Sequence, residues 1–179
     1  TTSAVVVGGG DSRHAARVVE QLSDVLRRTL SRRENEIALE DELELVRQYL
    51  GVERARFSAR LRPEFGVAPS TVAAAIPTFA LQHLVENAVR HGIARRTEAG
   101  RVAVTARRDG DVLELTVEDD GPGIADDAPQ TAAHGLENTS ERLRTLYGDR
   151  ASLDVRRKAQ GTIALLRVPF RHVDRTDRG

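Results

Sequence analysis

The sequence predicts an α+β fold, a two-layer α/β sandwich preceded by a helical segment. Three observations predict it. After residue 60 the patterns come in the order strand, helix, hairpin, helix, hairpin. In Val112 to Glu118, Leu113, Leu115 and Val117 alternate with Glu114, Thr116 and Glu118, which implies an antiparallel sheet covered on one face. Before residue 58 the apolar residues recur at helical spacing instead.

The elements follow in order. Gly8-Gly9-Gly10 reads as a turn, and Asp11 or Ser12 can cap a helix carrying Val18, Leu22, Val25, Leu26 and Leu30. A second helix carries Leu39, Leu43, Val46, Leu50 and Phe57. The two form an α-hairpin whose apolar stripes need a partner, either a second copy or the following domain. Leu61 to Val67 alternates as a strand, and Pro69 to Ala75 is a loop of small residues. Pro77 suits a first helical turn, with the helix running to His91 and Gly92 offering a left-handed ending. Arg101 to Arg108 and Val112 to Glu118 are strands joined at Asp109-Gly110, a strong hairpin signal. A glycine-rich loop, Gly121 to Ile124, comes next. Asn138 to Tyr147 is helical and ends at Gly148; Leu153 to Lys158 and Thr162 to Val168 form the last strand pair. The expected division is 1–58, 59–172 and a charged tail 173–179.

Composition narrows the chemistry. The 179 residues carry 27 basic and 27 acidic side chains and no cysteine, methionine or tryptophan. Without cysteine there is no disulfide framework, thiolate nucleophile or zinc finger. Lys158 is the single lysine, and its neighbours Arg157 and Ala159 do not complete a P-loop. Balanced charge and 3% aromatic residues give no reason to expect nucleic acid. The most apolar stretch, Thr71 to Val89, is broken by Pro77, Gln82, His83 and Glu86, so it does not read as a membrane span. The absent methionine implies that the chain is a piece of something longer.

Four constellations carry chemistry. His83, Asn87 and His91 stand at steps of four on one helix, with Glu86 and Arg90 beside them, also four apart. Asparagine is a poor helix former, and its oxygen suits a hard cation such as magnesium. Glu118-Asp119-Asp120-Gly121-Pro122-Gly123-Ile124 closes a strand; its glycines would admit a flat ligand and a strand-end carboxylate would accept from it. His134-Gly135-Leu136-Glu137-Asn138 precedes a helix, whose first amides make an anion site. Gly161-Thr162 opens the last strand. Each alone reads equally as a surface turn or a solvated face.

Together, in this order, they resemble the Bergerat ATP-binding fold shared by gyrase, MutL and the histidine kinases. Leu81-Gln82-His83-Leu84-Val85-Glu86-Asn87-Ala88-Val89-Arg90-His91-Gly92 is similar to the asparagine box of LytS-type sensor histidine kinases. Leu39 to Phe57 resembles the segment before that box, and Glu137 to Gly148 the last glycine box with its helix. The resemblance implies Mg-ATP as ligand. Asn87 would hold the Mg²⁺ that bridges the phosphates, flanked by Arg90 and His91. Asp119 would accept the adenine amino group, supported by Thr162; Gly121 and Gly123 would let the backbone pass the nucleotide. Gly135 and Leu136 would donate amides to the phosphates. Glu86 would polarise the nucleophile or pair with Arg90.

The implied activity is a protein-histidine kinase that passes the phosphoryl group from ATP to a histidine and on to a response regulator receiver domain. The intact protein would be a homodimer, the cytoplasmic portion of a membrane-anchored sensor. Segment 1–58 would be a partial dimerisation region; the acceptor position falls before Thr1, and His14, between Arg13 and Ala15, is not the acceptor. The isolated chain would then bind nucleotide without phosphorylating itself. Where the family usually has Gly-x-Gly-Leu, this chain has Ala133-His134-Gly135-Leu136. That departure favours the alternative, a non-catalytic dimerisation and binding module. Another Bergerat enzyme, such as an anti-sigma serine kinase, is disfavoured by Leu39 to Phe57.

Overall fold

A computed structural model describes residues 35–57, 60–94, 98–122 and 130–173. The helix expected between Asp11 and Leu30, His14 and Gly123 lie outside them. The chain divides into two compact units, Thr1–Asn35 and Glu36–Gly179.

The second unit opens with a short strand β1 (Glu36–Ala38) and helix α1 (Leu39–Arg56). Strands β2 (Leu61–Val67) and β3 (Ala75–Pro77) follow, then helix α2 (Ala80–Asn87), which widens into a π-helical turn over Ala88–Ile93. The hairpin β4 (Gly100–Asp109) and β5 (Val112–Asp119) precedes helix α3 (Gln130–Tyr147) and the strands β6 (Ser152–Arg157) and β7 (Thr162–Pro169). The main sheet has the order β2-β4-β5-β7-β6; β1 and β3 pair separately.

The alternation along the strands decides the layers. Val102, Val104, Leu113, Leu115, Val117, Leu166 and Val168 are buried and pack in one core with Leu81, Leu84 and Val85 of α2 and Leu143 of α3. The opposite face carries ion pairs. Glu114 accepts from Arg107 Nε at 2.5 Å and Arg167 Nε at 2.7 Å, its partners across both neighbouring strands. The Arg167 hydrogen bond, ahead of Arg107, holds the Glu114 carboxyl below its ordinary range.

Four features differ from the sequence pattern. The sheet is mixed, because β2 lies parallel to β4 while the other pairs are antiparallel. A parallel pair needs a crossover, and the segment containing α2 supplies it. Pro77 ends β3 instead of opening the helix, and Gly92 sits inside the π-helical turn instead of closing a helix. The compact unit also begins at Glu36, so α1 packs within it instead of belonging to a segment ending at 58. The reason is local. Leu39 N–H donates to Ala74 O and Glu40 N–H to Val72 O, both at 2.8 Å, and Leu39, Leu43, Val46 and Leu50 enter the shared core.

A smaller cluster ties both ends of the unit together. Tyr147, ending α3, donates its buried hydroxyl to Glu36, which also pairs with Arg171. Burial, followed by that hydrogen bond, pushes the Tyr147 hydroxyl upward from its ordinary value. Tyr147→Phe is expected to cost about 1–2 kcal/mol in a urea melt, one hydrogen bond to a charged acceptor. A change under about 0.3 kcal/mol would show that this bond contributes nothing net.

Candidate functional site

Strand period places the central carboxylate. Leu113, Leu115 and Val117 face the helices, and Asp119 is the next residue in that register. Its carboxylate therefore stands on the core side at the strand's end, 3% exposed. Thr162, first residue of β7, is its cross-strand partner. Burial is the largest influence on the Asp119 carboxyl and raises its pKa; amide hydrogen bonds from Gly121 and Thr162 oppose this, the first at 2.9 Å. A buried carboxylate accepting from backbone amides can take one more donor from a ligand.

Backbone closes in around it where side chains would not fit. A Cβ on Gly92 would lie 2.5 Å from Asp119 Oδ1, and one on Gly121 would lie 2.3 Å from Gly92 Cα. The π-helical turn thus touches both the carboxylate and the loop after β5. Such turns are rare and concentrate at functional sites. Here the turn retains an i to i+5 bond, from Ala94 N–H to Val89 O at 2.9 Å.

Asn87 is the last residue of α2 and is half-buried, directly before this turn. Glu86 accepts from Gln82 Nε2 at 2.9 Å. Arg90 is exposed and His91 half-buried, with its Nε2 out of solvent. The structure therefore brings Asp119, Gly121 and Thr162 together and places Asn87, Glu86, Arg90 and His91 on the adjoining helix.

Gly135 and Leu136 stand differently from expectation. α3 starts at Gln130, so both lie within the helix, not at its first amides. Gln130, Ala132 and Ala133 are good helix formers and extend it upstream, outweighing the cost of Gly135. An internal amide is committed to the helix ladder and is not free for a phosphate. A groove of about 560 Å³ runs between Leu136, Ser140 and Arg144 of α3 and Leu153 and Val155 of β6. None of Asp119, Gly92 or Asn87 lines it.

On the outer face, Glu118 pairs with Lys158 Nζ at 2.7 Å and with Arg101 at 3.4 Å. The Lys158 hydrogen bond is the largest influence lowering the Glu118 carboxyl. The single lysine thus braces β5 beside Asp119. Among the described residues no group of three or more His, Asp or Glu side chains is arranged to hold a metal.

Residues 76–172 match the family described as histidine kinase-, DNA gyrase B-, and HSP90-like ATPase. The chain belongs to that ATPase family. Residues 2–61 match a second family, described as histidine kinase. The sensor histidine kinase BtsS of Escherichia coli K12 is 35% identical over 162 residues, covering 90% of this chain and 29% of the relative. The sensor protein LytS of Staphylococcus saprophyticus is 34% identical over 176 residues, covering 92% and 30%. The chain thus spans about three tenths of the length of these relatives. Solved histidine kinases share the fold. The kinase domain of a blue-light activated histidine kinase from Erythrobacter litoralis has a TM-score of 0.54 at 21% identity, covering 74% of this chain and 61% of that one. The catalytic domain of histidine kinase ThkA has a TM-score of 0.58 at 14% identity, covering 75% and 94%. Beyond the ATPase family, the chain is similar over most of its length to one region of proteins named as the sensor histidine kinase BtsS and the sensor protein LytS.

The site contains two groups that the sequence motifs did not single out, Gly92 as a contact of Asp119 and Gln82 as the support of Glu86. Glu42, which reaches the start of α2 from α1, is a third. Its signal was present: Glu42 lies three residues after Leu39 and four before Val46, inside the apolar stripe of its helix.

Proposed function

We propose that this ATPase domain binds Mg-ATP with Asp119 at the adenine end and Asn87 at the phosphate end. The observation that carries this reading is a buried carboxylate with Gly92 pressed against it and Gly121 pressed against the Gly92 backbone, neither with room for a side chain. An exocyclic amine donating to Asp119, with the flat ring along Gly121, satisfies both features. Thr162 steadies the carboxylate through its amide. Asn87, with Arg90 and His91 on the π-helical turn, faces the phosphates, and Glu86 orients or deprotonates the attacking group. Gly135 and Leu136 take no part in this arrangement, since their amides lie inside α3.

A magnesium ion fits the donor set. Mg²⁺ keeps several waters and is commonly held by one or two protein oxygens plus substrate phosphates. Asn87 supplies such an oxygen, and a shared ion needs no cluster of protein ligands. When bound, the ion neutralises charge on the phosphates, and positioning supplies most of the remaining catalysis.

In the longer protein this domain would transfer the γ-phosphoryl group of ATP to a histidine, for relay to the receiver domain of a response regulator. The intact sensor would act as a homodimer, cytoplasmic in this portion and membrane-anchored elsewhere. The similarity to proteins named as sensor histidine kinases supports this. Among the described residues no helix is long and apolar enough to cross a membrane.

Titration with a fluorescent ATP analogue, with and without magnesium, tests the reading. The unaltered chain is expected to show saturable, magnesium-dependent binding. Asn87→Ala and Asp119→Asn should each weaken it by about tenfold or more, the effect of leaving one buried polar partner unsatisfied. Absence of saturable magnesium-dependent binding in the unaltered chain would sink the kinase reading in favour of a non-catalytic module.

A further inference from the structure

Glu42 is fully buried on α1, yet its partners belong to α2. Its Oε1 accepts from Phe79 N–H at 2.5 Å and its Oε2 from Gln82 N–H at 3.2 Å. Phe79 stands at the start of α2 with φ +65° and has no polar side chain to cap the helix, so Glu42 supplies the cap from another element. The connection continues inward. The side chain of Gln82 donates to Glu86, the residue beside Asn87. On the other side Arg142 of α3 donates to Thr78 O at 3.2 Å and is the charged group acting on Glu42. Three helices therefore meet at the turn where α2 begins.

A cap that served stability alone is available from Ser, Thr, Asn or Asp at the cap position, with no buried charge. A carboxylate brought from another helix is costly to bury and fixes a geometry in return. We propose that Glu42 is a positioning residue for the nucleotide site, setting the placement of Asn87 through the first turn of α2 and the orientation of Glu86 through Gln82. A displacement of α1 along its axis reaches the phosphate end of the site through these bonds. The inference rests on the Mg-ATP reading above.

The experiment compares Mg-ATP affinity and melting temperature at pH 8 for the full 179-residue chain and its Glu42→Gln, Glu42→Ala and Leu43→Ala variants. Glu42→Gln is expected to bind Mg-ATP roughly fivefold more weakly or worse, with a melting temperature equal to or above the unaltered chain. Glu42→Ala should bind more weakly still. Leu43→Ala, a core truncation on the same helix, should melt lower yet bind within about twofold. A structural residue would give the reverse, a loss of stability with affinity preserved. Unaltered affinity in both Glu42 variants, with a binding-competent parent chain, overturns the inference alone. Loss of folding in both overturns it in favour of a structural role. Absence of Mg-ATP binding by the parent chain fails the nucleotide reading, and this inference with it.

Discussion

Gly161→Ala is expected to destabilise the ATPase domain by roughly 2–5 kcal/mol in urea unfolding, among the largest single-residue effects available in this chain. Two costs combine. Gly161 has φ +86°, where an L side chain meets backbone strain of about 1–2 kcal/mol. Its Cβ would also fall 1.7 Å from the carbonyl oxygen of Asp119 and 2.6 Å from the carbonyl carbon. These are backbone atoms, so no rotamer change relieves the overlap. The chain can accept the methyl only by parting β5 from β7 where Asp119 pairs with Thr162. Forced overpacking of this kind costs about 1–3 kcal/mol or more. Nucleotide affinity should fall in parallel, because the same movement displaces the Asp119 carboxylate. A loss below about 1 kcal/mol would mean that the two strands yield freely there.

Glu42 should give the chain a pH dependence of stability opposite to that of a surface carboxylate. Burial, the largest influence, raises its pKa from 4.5 to about 7 against the hydrogen bonds from Phe79, Gln82 and Leu81 and the charge of Arg142. The folded state therefore holds this proton more tightly than the unfolded state. Between pH 4.5 and about 7 the folded chain binds more proton than the unfolded chain, so this contribution to stability falls as pH rises and is lost above pH 7. At about 1.4 kcal/mol per pH unit the window is worth roughly 3 kcal/mol. Glu114 and Glu118, held below their ordinary range, act with the opposite sign and lose stability on acidification. They are common to the parent and Glu42→Gln, so the difference between the two isolates Glu42. Urea melts from pH 4.5 to 8 should show Glu42→Gln gaining about 2–3 kcal/mol relative to the parent across that range. A difference that stays flat would show that Glu42 is not a titrating group in this window.

Much of the fold was legible because strand alternation and turn chemistry are local. The Asp109-Gly110 hairpin appears where the dipeptide stands, with φ +58° at Gly110. The strands β2, β4, β5, β6 and β7 lie within a residue or two of their expected ends, and α1 follows the stripe from Leu39 to Leu50. Helix ends were less legible. Pro77 is compatible with a first helical turn, but pairing with β1 keeps it extended. Gly92 is compatible with a left-handed ending, but its close contact with Asp119 and Gly121 holds it inside a wider turn. The parallel pairing of β2 with β4 leaves no mark on either strand, since it depends on how the chain returns.

Asp119 shows the same division within the site. Its place in an Asp-x-Gly-x-Gly loop marked it as a candidate, and period two already put it on the face of Leu115 and Val117. That Gly92, from a helix 27 positions earlier in the chain, would be the residue against its carboxylate is a long-range fact. Glu42 is the stronger case. The sequence motifs did not single it out although it stands inside an apolar stripe, and its partners, Phe79 and Gln82, follow only once α1 packs on α2.

The sequence by itself determined the order of the main-sheet strands and of α1, α2 and α3 and the buried face of β5, because these follow from spacing and turn chemistry, and its motifs already resembled the ATPase family to which the chain belongs. Only the tertiary structure decided which unit α1 joins, what caps α2 and which backbones press on Asp119. Those depend on contacts between segments far apart in the chain, where a hydrogen bond or the absence of a Cβ has no meaning until both sides are in place.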